Sequence, residues 1–178
     1  MKYVFSFIKK ILNVILITED IICIGGMWMC SILIFLGVIN RYFLHFPIMW
    51  LSDLGLYIFI FYIMVSIAVT TREQGHTGVD VFRKILFRGK PRADTIYSIF
   101  LNIVSIVVVV IFLPVTWKFM LRAMKYPEYG SLVRWFNTSW LQSALSFVVI
   151  LILIHIFDLL IKNIIKLKKI DYKTGGGE

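Results

Sequence analysis

Charged residues are scarce in this sequence: Asp, Glu, Lys and Arg make up 16% of its 178 residues, against about 25% in ordinary soluble domains. Acidic residues are the rarer kind, with 10 Asp and Glu against 19 Lys and Arg. Hydrophobic residues reach 60%, and this balance excludes both an ordinary soluble globule and a disordered tail. A net charge of +9 on so apolar a chain indicates basic residues held at an anionic membrane face, and nucleic-acid binding is not expected.

Cysteine and histidine are also rare, which limits the metal and redox chemistry available. Cys23 and Cys30 are the only cysteines, too few for a disulfide framework. On one helix their Cα atoms would lie roughly 10 Å apart, too far for a disulfide. Of three histidines only His155 falls close to an apolar run, whereas a haem held by two histidines needs both at matching depth. The sequence therefore predicts no metal site and no cofactor.

Long uncharged apolar runs are what the sequence has in abundance. Four stretches of 18 to 23 residues contain no Asp, Glu, Lys, Arg or His: residues 21–40, 54–71, 95–117 and 135–154. About 20 helical residues cross the hydrocarbon core of a bilayer, and a helix satisfies every backbone amide there. We therefore predict an all-α membrane protein, a bundle of four transmembrane helices in a single domain over residues 1–178. The predicted spans are about 20–40, 53–71, 95–117 and 139–161.

Lys and Arg residues are distributed unevenly between the connecting segments. The N-terminal segment, the second loop and the tail together carry 14, and the first and third loops carry 5. Because an excess of basic residues marks the cytoplasmic side, both termini are predicted to be cytoplasmic. Residues 79–90 are spaced like a short amphipathic helix on the inner leaflet. The outward loop 118–140 contains aromatic and basic residues that suit contact with a partner protein.

Few ionisable residues lie near the spans, and none is at a span centre. Glu19 and Asp20 follow an amphipathic lead-in at residues 11–18, Asp53 begins the second span, and His155 and Asp158 lie near the inner end of the fourth. Since burying such groups is expensive, we interpret them as interfacial charges or helix partners. A proton or ion site remains the alternative.

Two ion pairs are predicted from these positions. Arg41 and Asp53 flank the short first loop and are expected to meet at the outer surface. At the inner surface Glu19 or Asp20 is expected to pair with Arg72 or Lys162.

Other polar and small residues favour helix packing. Gly25, Gly26 and Cys30 give the first span a small-residue face, and Pro114 is expected to kink the third. A polar stripe on the third span would form interhelical hydrogen bonds; its members are Ser98, Asn102 and Ser105.

Three motifs in order resemble one protein family. Asn40-Arg41-Tyr42-Phe43 ends the first span, Pro47-Ile48-Met49-Trp50-Leu51-Ser52-Asp53-Leu54 begins the second, and Arg72-Glu73-Gln74-Gly75-His76-Thr77-Gly78-Val79-Asp80 follows it. With the chain length and the four spans, they resemble the small membrane (Q) subunit of a TRAP transporter, the tripartite ATP-independent periplasmic kind. Ser52 and Leu56 stand where that family commonly has Glu and Arg, so the usual acid–base pairing is reduced to Asp53.

The resemblance implies a non-catalytic permease subunit of the bacterial inner membrane. Its partners would be a large membrane (M) subunit, the lipid bilayer and, transiently, a periplasmic binding protein. The system would import an organic anion, such as a dicarboxylate, a sugar acid or sialic acid, by sodium symport. The structural and interface candidates that match the motifs are Arg41, Trp50, Asp53, Arg72, His76 and Asp80. Two alternatives remain open at this point: a small redox or enzyme subunit using His155 and Asp158, and a self-assembling pore.

Overall fold

The computed structural model of the chain describes residues 2–46, 48, 50–73, 87 and 90–175. Four α-helices account for most of these residues: α1 (Lys2–Ile39), α2 (Trp50–Arg72), α3 (Pro91–Lys125) and α4 (Ser139–Gly175). All four are long and apolar enough to cross a membrane. Even the shortest, α2 with 23 residues, is about 35 Å long at 1.5 Å per residue, and the hydrocarbon core is about 30 Å thick. The predicted all-α class with four membrane helices is confirmed.

Two of the helices continue through residues that mark the edge of an apolar run or a predicted kink. Helix α1 runs without a break through Glu19 and Asp20, so the lead-in and the first span form one helix of 38 residues. Carboxylates do not disturb the internal hydrogen bonds of a helix, which explains the continuity. Helix α3 likewise extends on both sides of Pro114, although a proline removes one of those bonds.

The C-terminal end of α1 widens into a π-helical turn, Asn40–Leu44. His45 follows in the left-handed conformation with φ of 54°, which histidine tolerates better than most residues. Its backbone N–H donates to the carbonyl of Asn40 at 2.8 Å, and the Asn40 side-chain amide donates to the carbonyl of Phe46 at 2.9 Å. These two bonds stop the helix and turn the chain towards α2.

The segment between α3 and α4 is a loop of residues 126–138, which we call the outer loop after the side of the membrane predicted for it. Tyr129 and Asn137 form an isolated antiparallel β-bridge, and the N–H of Gly130 donates to the carbonyl of Phe136 at 3.0 Å. The side-chain oxygen of Asn137 accepts the N–H of Ser139 at 2.9 Å. This last bond satisfies one of the open donors at the start of α4.

Residue contacts divide the chain into two compact units. The first comprises Met1–Val69 and Thr116–Val148, and the second comprises Thr70–Val115 and Val149–Glu178. Buried apolar residues of the first unit are Cys30, Val65, Ala68, Met120, Val133 and Val148. Buried residues of the second are Thr71, Thr95, Val149, His155 and Ile156.

Candidate functional site

Helices α1 and α2 pack closely in the first unit as an antiparallel pair. The thiol of Cys30 lies 3.9 Å from the carbonyl oxygen of Gly55, and Gly26 lies against Tyr62. Moving from the first contact to the second, the residue number decreases along α1 and increases along α2. The two helices therefore run in opposite directions. Small residues at both contacts let the two backbones approach, as in other membrane helix pairs.

The tightest point of this interface is at Gly26. A Cβ atom placed there would lie 2.5 Å from the Cβ of Tyr62, whereas one placed on Gly25 would meet no atom within 4 Å. The predicted small-residue face is therefore correct for Gly26 and Cys30 and wrong for Gly25. Gly25 lies on an adjacent side of the helix because one helical step rotates the chain by about 100°.

The open space beside Gly25 belongs to an apolar cavity of about 350 Å³ in the first unit. Its walls come from α1, α2, the end of the outer loop and the start of α4; the lining residues are Ile22, Gly25, Gly26, Met29, Tyr57, Ile58, Phe61, Tyr62, Phe136, Trp140 and Leu141. None of these residues carries a charge. A cavity of this composition offers no cationic group to an organic anion.

The structure separates Arg41 and Asp53, which were predicted to form an ion pair at the outer surface. Asp53, in the first turn of α2, accepts from the hydroxyl of Ser131 and the N–H of Leu132, both at 3.4 Å. The Arg41 guanidinium lies 5.8 Å from the ring centroid of its neighbour Tyr42. The predicted pair is not formed between these two described side chains. Asp53 instead ties the outer loop to the start of α2.

An aromatic contact holds the outer loop a second time. The rings of Tyr57 and Phe136 stack with centroids 4.4 Å apart and planes 6° from parallel. A Cβ placed on Gly130 would lie 2.6 Å from the hydroxyl oxygen of Tyr57, so the loop backbone passes directly over that hydroxyl. Trp140 meets Phe136 edge to face at 5.4 Å. Tyr57 was not among the predicted site residues, because a tyrosine within an apolar span has no sequence signal that distinguishes it from core.

The predicted inner-surface residues are only partly within the described chain. Arg72 ends α2 and forms an ion pair with Glu73 at 3.2 Å. Glu19 is 3% exposed, Asp20 is half-buried, and their pairing with Arg72 or Lys162 stays a prediction. His76, Asp80 and most of the predicted amphipathic helix at 79–90 lie outside the described residues.

The predicted polar stripe of α3 is unevenly exposed. The hydroxyl of Ser98 donates to the carbonyl of Asp94 one turn earlier, at 2.9 Å. The side-chain nitrogen of Asn102 is buried without a hydrogen-bond partner in the described part of the chain, and Ser105 is exposed. Hydrogen bonds from this stripe to another helix stay a prediction. Trp50, the remaining candidate, is exposed in the first turn of α2.

The pair behind the redox alternative is divided between different environments. Asp158 accepts from the ammonium of Lys162 at 2.6 Å, an i,i+4 ion pair on α4. His155 is 4% exposed, one turn further into the span. Among the described residues, no three His, Cys, Asp or Glu side chains are grouped as a metal site would require.

Comparison with known families decides between the remaining interpretations. A model of the DctQ component of tripartite ATP-independent periplasmic transporters matches residues 30–165, more than half of the chain. The chain belongs to the DctQ family. The match contains the motif residues from Asn40 to Asp80, so the resemblance predicted from them is confirmed. The comparison with curated proteins finds no match.

Membership of the DctQ family gives the chain its general role. It is an inner-membrane component of a TRAP transporter and a transport subunit, not an enzyme. DctQ components work together with a large membrane subunit and a binding protein. The enzyme alternative based on His155 and Asp158 is therefore wrong.

Proposed function

We propose that this DctQ chain is a non-catalytic scaffold for the large membrane (M) subunit. In this role it supports sodium-coupled uptake of an organic anion that a periplasmic binding protein delivers. The anion class that we propose, a dicarboxylate, sugar acid or sialic acid, rests on the family resemblance. We further propose that both termini are cytoplasmic, on the distribution of Lys and Arg.

The exposure of α1 and α3 carries the scaffold proposal. Only 6% of the most apolar window of either helix is buried within the chain, against 22% for α2 and 28% for α4. Large apolar side chains project from both, such as Trp28 and Phe35 on α1 and Phe100 and Ile111 on α3. Within a bilayer these surfaces contact lipid or another membrane helix. A subunit with two such helices has ample surface for a larger membrane partner.

The polar groups of the spans support the non-catalytic part of the proposal. An organic anion that crosses hydrocarbon needs donors at mid-depth, which transporters supply with broken helices and their N-terminal dipoles. No Lys or Arg lies within the four uncharged runs. The helices are unbroken through those runs, apart from the π-helical turn at Asn40–Leu44 and the first four residues of the fourth run, 135–138, which belong to the outer loop.

Reconstitution into liposomes tests this function. We expect no sodium-driven uptake by the chain alone, uptake by the chain with the large subunit and the binding protein, and loss of uptake when the chain is omitted. Dissipating the sodium gradient tests the coupling separately. Uptake by the chain alone, or full uptake without it, would overturn the scaffold proposal.

A second proposal concerns the outer loop, which we infer to contact the binding protein. The loop is held by Asp53 and Tyr57 but leaves Trp135 65% exposed, and preorganised exposed tryptophans are common at the energetic centre of interfaces.

Trp135→Ala should weaken binding of the binding protein to the assembled membrane complex about tenfold or more. Trp28→Ala, which removes a similarly exposed tryptophan (62%) from α1, is the matched control. Equal affinities in both variants would contradict the proposal.

A further inference from the structure

Helix α4 continues well beyond the membrane span predicted within it. The span ends near residue 161, and the helix ends at Gly175. At 1.5 Å per residue this extension is about 21 Å long, whereas the headgroup layer adds only about 5–8 Å on each side of the hydrocarbon. The first turn of the extension therefore lies at the depth of the lipid headgroups, and the second lies just beyond them, within reach of their surface potential.

Three lysines share one face of this extension. Lys162, Lys166 and Lys169 are spaced i, i+4 and i+7, which places them in line along a helix, and all three are exposed. Asp171 is the only acidic residue after Asp158 within the helix. The face thus has an excess of positive charge from its first turn onwards.

The chemistry of neighbouring positions fits a boundary between hydrocarbon and headgroups. Ile165 is also exposed and lies beside the lysine face, whereas the exposed Ile164 lies on the opposite side of the helix. Lysine stems can lie along such apolar surface while the ammonium group reaches the headgroups. Lys162 contacts Asp158, but an ammonium has three donors and so retains some for a phosphate.

We propose that Lys162, Lys166 and Lys169 form a binding face for the phosphate groups of anionic phospholipids. The face prefers anionic over zwitterionic lipids, because each lysine is attracted electrostatically to an anionic membrane surface and not to a zwitterionic one. That attraction corresponds to roughly a fivefold preference per lysine. The proposal does not depend on the scaffold role, and the orientation of the chain only decides which leaflet provides the lipid.

Native mass spectrometry of the purified full chain tests this face. The chain is titrated with phosphatidylglycerol or phosphatidylcholine of identical acyl chains, and the ratio of bound anionic to bound zwitterionic lipid is measured. Lys166→Gln is compared with Lys168→Gln, which changes the charge equally on an exposed residue of the same turn but of another face. Glutamine and lysine have similar helix propensities, so both variants should keep the helix.

We expect wild type to prefer phosphatidylglycerol, Lys166→Gln to lose about fivefold of that preference, and Lys166→Gln/Lys169→Gln to lose about 25-fold. Lys168→Gln should lose clearly less, and added salt should weaken the preference of wild type. No lipid preference in wild type, or equal losses in Lys166→Gln and Lys168→Gln, would overturn the proposal. It would equally fail if the double variant kept its lipid preference but released the large subunit, since the face would then bind protein.

Discussion

At the scale of single residues, the adjacent glycines Gly25 and Gly26 have opposite surroundings. Gly26 is in contact with α2, where an added Cβ would lie 2.5 Å from the Cβ of Tyr62. That Tyr62 atom is fixed to the backbone, so no rotation of a side chain relieves the clash. Gly25 has open space instead. The two positions therefore form a matched pair in which the same substitution has different consequences.

Gly26→Ala should destabilise the chain by about 1–3 kcal/mol, the usual cost of overpacking a close contact. Gly25→Ala should be neutral or stabilise by up to about 1 kcal/mol, because alanine is the better helix former. Thermal unfolding of both variants in the same detergent measures the difference. A similar shift in both would contradict the close contact between Gly26 and Tyr62.

Exchanging Arg41 and Asp53 tests where the Asp53 carboxylate binds. Because Asp53 accepts from Ser131 and Leu132 and not from Arg41, the double variant Arg41→Asp/Asp53→Arg should be no more stable than Asp53→Arg alone. Asp53→Asn should lose less than Asp53→Ala, since an amide oxygen still accepts hydrogen bonds. Stability of the variants in detergent is the measurement. Rescue by the exchange would show that the two charges interact after all.

The error over Arg41 and Asp53 has a physical cause at this scale. Twelve residues of sequence separation indicate that two side chains are near each other, but not the direction in which either points. Asp53 finds its partner 78 residues away, in the outer loop. Only the fold brings that loop over the start of α2, and no motif in the sequence marks Ser131 or Leu132 as its partners.

At the scale of elements, the outer loop depends on a small number of contacts with α2. The Tyr57–Phe136 stack fixes its end, and the close approach of Gly130 to the Tyr57 hydroxyl fixes its middle. A Cβ on Gly130 would also lie 3.0 Å from the carbonyl oxygen of Val133. The loop therefore has little room for a larger residue at position 130.

Gly130→Ala should loosen the outer loop, and Tyr57→Phe in the same chain should partly restore it, because it removes the hydroxyl oxygen and keeps the stacked ring. Tyr57→Phe alone should have a small effect, within about 1 kcal/mol, the net value of a typical hydrogen bond. Limited proteolysis within residues 126–138 reports the change. If Gly130→Ala is as resistant as wild type, or if Tyr57→Phe worsens it, the contact is not as the structure describes.

The elements themselves were largely predictable from the sequence. Uncharged runs of about 20 residues indicate membrane helices because a helix of that length crosses the hydrocarbon core and satisfies its own amides in lipid. The continuity of α1 from the lead-in through Glu19 and Asp20 into the first span was not predicted, since a charge marks where an apolar run ends but not where a helix ends. The π-helical turn at Asn40–Leu44 also escaped prediction, because a helix can end at Asn40 in several ways and the side-chain bond to Phe46 selects one.

At the scale of the whole molecule, the family and the exposure of the helices point to the same kind of role. A DctQ component belongs to a transporter with a larger membrane subunit and a binding protein. The described helices supply much apolar surface and an apolar cavity without charged lining residues. We infer from this combination that the chain contributes surface to an assembly, and that chemistry towards the substrate resides in its partners.

The distribution of charge predicts the orientation of the chain in the membrane. The two termini and the second loop carry 14 Lys and Arg residues and the other two loops carry 5, so the positive-inside rule places the outer loop in the periplasm and the end of α4 in the cytoplasm. Glu128 and Lys168 are exposed at these two places. Glu128→Cys should react with a membrane-impermeant maleimide in intact cells, and Lys168→Cys only after permeabilisation. The wild-type chain is the control, because Cys30 is buried and Cys23 is half-buried within the first span. The predicted span of α4 lies between these two positions, so they must be on opposite sides of the membrane. Labelling of both variants in intact cells, or of neither, would therefore contradict four spans with cytoplasmic termini.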